Sequence, residues 1–258
     1  MASNEPFFIL GCVRSGTTML RDLLRSVPRL ACPEETHFYR WGEPLGSPVF
    51  ANTVRRNKVL QKHRAIDGVS EAAFAEILAG ARTRRELTER YIAAFKAAQG
   101  IGEGRWFDKT PQNIYGLALL ADEFPEAKIV HIVRNPLNVV ASLAVGKVML
   151  LENTVGAANY WREAVAIFDK VKPSITGRVH EIAYETLTAE PAAELARLMA
   201  FLDEDVRDIR FDLSKIHPER DQWRDVLSAD AVATVREICG PWARRYGYDL
   251  DVAVESAG

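Results

Sequence analysis

Two glycines with four residues between them bracket the first stretch that could do chemistry, Gly11-Cys12-Val13-Arg14-Ser15-Gly16-Thr17-Thr18. The apolar run Phe7-Phe8-Ile9-Leu10 precedes it, and Met19, Leu20, Leu23, Leu24 and Val27 follow at helical spacing, so the segment reads as strand, loop, helix. Glycines let such a loop curl its N–H groups inward, and the helix behind it adds roughly half a positive charge at its N-terminus. The chemistry on offer is anion binding. Arg14 supplies a cation from inside the loop, and Thr17 stands where a nucleoside triphosphatase carries its lysine. The buried-strand candidate Lys128–Val133 ends in Arg134, where such an enzyme would place a carboxylate for magnesium. Guanidinium and N–H donors can neutralise an anion without a metal.

Three further groups belong with this loop. Glu34 and Glu35 lie in the loop-like stretch Cys32 to His37, and by spacing alone both are eligible as a general base. Lys109 follows Trp106-Phe107, a strand candidate. Ser142 lies eight residues after Arg134, on a helix through Leu137, Val140 and Leu143. In a parallel sheet, ligands bind at the carboxyl ends of the strands. Arg14, Glu35, Lys109 and Arg134 all fall on or beside such loops and can share one rim.

The positioning elements follow from periodicity. Leu30-Ala31 is a second short strand, and Val179 to Ala183 is the last. Residues 50–98 read as charged helices, with Thr83 and Glu86 spaced as a capping box. Further helices are expected over Ile114 to Phe124, Tyr160 to Val171, Pro191 to Leu202 and Ala229 to Ile238. Strands alternating with helices imply right-handed crossovers. The fold class is therefore α/β, one domain over 1–258 with a central parallel sheet flanked by helices.

In order and spacing these motifs resemble the sulfotransferases. Phe8 to Phe38, with Arg14-Ser15-Gly16-Thr17-Thr18 and Glu34-Glu35-Thr36, is similar to the family's first motif, and the tyrosylprotein branch and its bacterial cousins are most like it. Val130 to Leu143 resembles the second motif, and Asp108-Lys109-Thr110-Pro111 the branch's Lys-Asp-Pro element. Tyr160-Trp161 and Tyr184-Glu185 fall in family order. The resemblance implies a P-loop-containing nucleotide-binding fold and the donor 3′-phosphoadenosine 5′-phosphosulfate (PAPS), with 3′,5′-diphosphoadenosine (PAP) as product. It implies that Arg14, Ser15, Gly16, Thr17 and Thr18 grip the 5′-phosphosulfate and that Arg134 and Ser142 hold the 3′-phosphate. It makes Glu35 the base and Lys109 the cation over the bridging oxygen, with Arg14 beside them. Tyr184 is assigned to the adenine side, and Arg224 to a late basic loop whose usual glycines are absent here. The branch's arginine two residues after the base is His37 in this chain.

Composition narrows the rest. The 258 residues carry 33 basic and 35 acidic side chains, a formal charge of -2, which argues against a protein that coats nucleic acid. The three cysteines, Cys12, Cys32 and Cys239, show neither disulfide nor zinc spacing. The longest apolar stretch, Val139 to Leu151, is interrupted by Ser142 and Lys147 and is too short to span a bilayer. The expectation is a cytoplasmic, metal-independent enzyme acting on a small-molecule, glycan, lipid or peptide acceptor, with a homodimer left open. Segment 50–98 is expected to shape the acceptor pocket. The alternatives are a kinase using the same loop and a protein that binds the adenosine nucleotide without turnover.

Overall fold

A computed structural model of the chain describes residues 4–146, 153–205, 209, 211–216 and 218–251. Strand β1 (Phe7–Gly11) leads into α1 (Thr17–Leu24), then β2 (Leu30–Ala31). Four helices follow, α2 (Pro48–Arg56), α3 (Lys58–Asp67), α4 (Glu71–Gly80) and α5 (Arg84–Ala98). Strand β3 (Arg105–Lys109) returns to the sheet and is followed by a 3-10 turn over Pro111–Gly116 and helix α6 (Leu117–Glu123). Next come β4 (Lys128–Val133), α7 (Pro136–Gly146), α8 (Thr154–Val171), β5 (Val179–Ala183), α9 (Tyr184–Ala189) and α10 (Pro191–Phe201). The short α11 (Trp223–Val226) and the long α12 (Ala229–Arg245) complete the chain.

The five strands form one sheet in the order β2-β3-β1-β4-β5, and every pairing is parallel. Successive side chains of β1 enter opposite cores, as strand geometry requires. Phe8 and Leu10 join one core with Phe124, Trp161 and Val235, while Phe7 and Ile9 join the other with Leu20, Phe107 and Leu198. Burial on both faces explains why β1 is a continuous apolar run and why β4 is apolar at every position but Lys128 and His131.

The charged stretch 50–98 is helical as expected, and its breaks are set by capping. Ser47, Asn57, Ser70 and Thr83 each accept a hydrogen bond from the first turn of the helix that follows. Thr83 Oγ1 accepts from Glu86 N at 3.0 Å, but Glu86 Oε2 accepts from Arg82 N rather than from Thr83 N, so the box is closed one residue early.

Three expected boundaries shift. The helix expected over Ile114 to Phe124 starts as a 3-10 turn and becomes α-helical only at Leu117. Gly116 passes so close to the loop before α2 that a Cβ there would lie 2.1 Å from Tyr39 O. Helix α8 begins at Thr154, capped by the Asn153 side chain, instead of Tyr160. Helix α12 runs on from Ile238 through Pro241 to Arg245, because Cys239 and Ala243 are buried on the same face as Val232 and Val235. That packing outweighs the hydrogen bond proline removes. No helix of the described residues is long and apolar enough to cross a membrane, and residues 147–151 of the long apolar stretch lie outside them.

Candidate active site

All five strands deliver residues to one cleft at the carboxyl edge of the sheet. Its volume is about 480 Å³, and its walls include Arg14, Thr17, Thr18, Glu35, Arg134, Ser142 and Tyr184. Gly11 and Gly16 make the first loop possible. At φ 93°, Gly16 packs against the Tyr184 ring so closely that a Cβ would lie 2.3 Å from the ring carbon Cδ2. Tyr184 starts α9 directly after β5, so the last strand of the sheet clamps the first loop. Gly16 is the N-cap of α1, no side chain caps that helix, and its first turn carries no acidic residue. Ser15 is fully buried there, and among the described residues its Oγ has no hydrogen-bond partner. An uncapped helix N-terminus beside an orphaned hydroxyl fits an anionic group.

Glu35 and Lys109 meet from two other strands. Lys109 ends β3 with 1% of its side chain exposed, and its Nζ donates to Glu35 Oε1 and, at 3.2 Å, to Thr18 Oγ1. Glu35 Oε2 lies 3.2 Å from His37 Nε2. Burial raises the Glu35 pKa, but the hydrogen bond from His37 and the charge and hydrogen bond of Lys109 outweigh it and hold the carboxyl down at about 2. Its neighbour Glu34 is spent elsewhere: Arg21 Nη1 donates to it at 2.8 Å and Arg25 Nη1 at 3.0 Å. Spacing left two carboxylates eligible, and the fold turns only Glu35 into the cleft.

The second motif closes the other end. Arg14 Nε donates to Ser142 Oγ at 2.9 Å, joining the two motifs across 128 residues of sequence. Arg134 follows β4, stacks its guanidinium 4.4 Å from the centre of the Tyr184 ring, and donates to Arg14 O at 3.1 Å. Its remaining fork is bidentate on Glu219, with Nε to Oε2 at 2.6 Å and Nη2 to Oε1 at 2.8 Å. A carboxylate held this way shows that the fork is shaped for a two-oxygen anion.

Arg224 is not brought to this cleft. It is exposed, lies over Trp223 at 4.4 Å and 3.7 Å from Asp221, and is not among the residues lining the cleft. Sequence reasoning did not single out Arg40, Asn57, Val59, Leu60 and Gln112, which line the cleft. Arg40 comes from the loop between β2 and α2, Asn57, Val59 and Leu60 from the start of α3, and Gln112 from the 3-10 turn, and no local motif signals that they meet. Of segment 50–98, only these first residues around the start of α3 reach the cleft walls. His37, noted only as a departure, proves to be buried, in left-handed backbone at φ 57°, and bonded to Glu35.

The model of the Sulfotransferase family matches residues 6–208. Protein-tyrosine sulfotransferase A of Caenorhabditis elegans is 25% identical over 277 aligned residues, covering 95% of this chain and 68% of that protein. The chain spans between 26% and 68% of the length of the curated relatives it matches. Among solved structures, the sulfotransferase domain of the Synechococcus PCC 7002 olefin synthase superposes with a TM-score of 0.65 at 20% identity, covering 96% of this chain and 97% of that one. Mouse sulfotransferase SULT7A1, complexed with PAP, gives 0.50 at 13% identity, covering 94% and 86%. With both glycine-loop and arginine motifs inside the matched span and the same fold around them, the chain belongs to the sulfotransferase family.

Proposed function

We propose that this protein transfers the sulfuryl group of PAPS to a hydroxyl or amine acceptor, leaving PAP. The observation that carries the reading is the junction of Glu35, Lys109 and Thr18 at the uncapped N-terminus of α1. The N–H groups of the first loop, with Arg14, Ser15, Thr17 and Thr18, hold the 5′-phosphosulfate, and the fork of Arg134 with Ser142 takes the 3′-phosphate in exchange for Glu219. PAP bound in the mouse relative supports the nucleotide assignment.

As the acceptor oxygen forms its bond to sulfur, Glu35 accepts the acceptor's proton. The bond from sulfur to the bridging phosphate oxygen breaks, and Lys109 neutralises the charge that appears on that oxygen. With its carboxyl held near 2 by Lys109 and His37, Glu35 is a weak base at rest. Lys109 turning from Glu35 to the leaving oxygen makes the carboxylate more basic as the transfer begins. Arg40, Asn57, Val59, Leu60 and Gln112 offer the acceptor a wall that is part polar and part apolar, and the start of the 50–98 helical insertion within the single domain supplies three of them.

Transfer of labelled sulfate to a panel of phenols, alcohols, amino sugars and tyrosine peptides tests the activity. Titration with PAP and with ATP, each with and without magnesium, separates this reading from a kinase. Glu35→Gln is expected to lower kcat by about 10²- to 10⁴-fold while PAP affinity is retained. Retained turnover removes Glu35 from the base role.

A further inference from the structure

The side chain next to Lys109 in the chain does not face the cleft, yet it ties together both loops that carry the chemistry. Asp108 is 1% exposed. Its Oδ2 accepts from Thr36 Oγ1 at 2.5 Å and from Asn113 Nδ2 at 3.1 Å, and its Oδ1 accepts from Thr110 Oγ1 at 2.6 Å. Two of these partners hold the opposite loop a second time. Thr110 Oγ1 accepts from Thr36 N at 2.9 Å, and Asn113 Oδ1 accepts from Tyr39 N at 3.1 Å. Residues 36–39 are thereby fastened to residues 108–113 by three hydrogen bonds, one to the carboxylate itself and two to Thr110 and Asn113, the side chains it holds. Thr36 stands between Glu35 and His37 in the chain, and Lys109 directly follows Asp108.

We infer that Asp108 is a positioning residue, which sets Glu35 and Lys109 against each other by fixing the Thr36 loop to the end of β3. The inference rests on the roles proposed above for Glu35 and Lys109. A buried carboxylate is costly unless its lone pairs are filled, and here they are filled by three donors. An ionised carboxylate only accepts. Both threonine hydroxyls must therefore point their hydrogens at Asp108, which leaves a lone pair of Thr110 for the Thr36 N–H. An isosteric amide would turn an NH₂ toward a group that is itself donating, and the direction of the whole network would be lost. Misplacement of a catalytic group by about 1 Å can cost about 100-fold in rate.

The charge state of Asp108 adds a readout. Burial pushes its pKa up, the hydrogen bonds from Thr110 and Thr36 pull it down, and Glu35 raises it again, so that it lies at about 6. The titratable groups facing it are Glu35 and Cys32 from the loop after β2, Lys109 on its own strand and Tyr91 from α5. Glu35, at about 2, stays ionised through the range in which Asp108 takes its proton. Because this pKa is raised on folding, Asp108 itself favours the fold below pH 6 and loses that contribution as pH rises. Its protonation should therefore slow turnover without loosening the protein through this group.

The experiment compares Asp108→Asn, Thr36→Val and Thr36→Ser with wild type in kcat, KM, PAP affinity and the pH profile of kcat. Asp108→Asn is expected to lower kcat at least about tenfold, to leave PAP affinity unchanged within about twofold, and to lose the fall in kcat that wild type shows below about pH 6. Thr36→Val should lower kcat in the same way, and Thr36→Ser should restore it. Should Asp108→Asn fail to fold, the Thr36 pair decides. A wild-type kcat that is flat through pH 6, a limb that persists in Asp108→Asn, or a kcat in both Asp108→Asn and Thr36→Val within about twofold of wild type overturns the inference. Glu35→Gln is run alongside. Turnover kept there removes the base reading, while turnover lost there but kept in Asp108→Asn and Thr36→Val removes this inference alone.

Discussion

The two ends of the cleft are built on different physics. At the end proposed to react, the segments carrying Glu35 and Lys109 are joined by buried hydrogen bonds whose directions are fixed while Asp108 is ionised, because a carboxylate only accepts. At the far end, Arg134 is committed to Glu219, a carboxylate carried by the irregular stretch 218–222, which Asp221 also ties to Asn138 Nδ2 at 3.2 Å. A carboxylate and a phosphate show a guanidinium fork the same two-oxygen edge, so this partner can be exchanged. On the proposed function, fixed hydrogen bonds stand where charge would move during transfer, and an exchangeable pair stands where the nucleotide would arrive and leave.

This contrast can be broken by mutation. The largest effect is expected at the reacting end: Lys109→Ala should lower kcat by about 10²- to 10³-fold with PAP affinity little changed, read by single-turnover sulfate transfer. An equal loss in affinity would make Lys109 a binding group and erase the contrast. At the far end the pattern should invert. Arg134→Ala is expected to raise the Kd for PAP about 10- to 100-fold, corresponding to about 1.5–3 kcal/mol for the charge-assisted contact, with kcat at saturating donor nearly preserved. Calorimetry measures the first quantity and initial rates the second. The smallest effect sharpens the idea of exchange. Glu219→Gln should tighten PAP by up to about fivefold, since the fork no longer has to give up a charged partner when the nucleotide binds. Weaker PAP binding in that variant would mean that Glu219 helps to hold the nucleotide.

Much of this was legible because the relevant signals are local. The apolar run that became β1, the mostly apolar stretch that became β4 and the glycine spacing after β1 need only neighbouring residues to be read. Val179–Ala183 and Leu30–Ala31 appear as strands at the expected positions. Where reading failed, a distant contact had intervened. Helix α12 continues through Pro241 because its buried face packs against α8, and the turn before α6 is 3-10 where Gly116 meets Tyr39. Arg224 has the residue type of a nucleotide contact, yet α11 carries it to the outside of the cleft.

The chain's own letters determined which groups are available: a loop that welcomes an anion, two arginines without a metal-binding carboxylate, a pair of glutamates and a lysine at a strand end. Residue type and short-range periodicity are properties of consecutive positions, so they survive without a fold. Spacing did not separate Glu34 from Glu35; the tertiary structure does, because Arg21 and Arg25 come from α1 and its C-terminal end to take the first, while Lys109 arrives from β3 to meet the second. It also set His37 against Glu35, Asp108 against Thr36, and Glu219 on Arg134 across 85 residues of sequence. Those choices depend on which strand lies beside which, and that is decided by the burial of both faces of the sheet together.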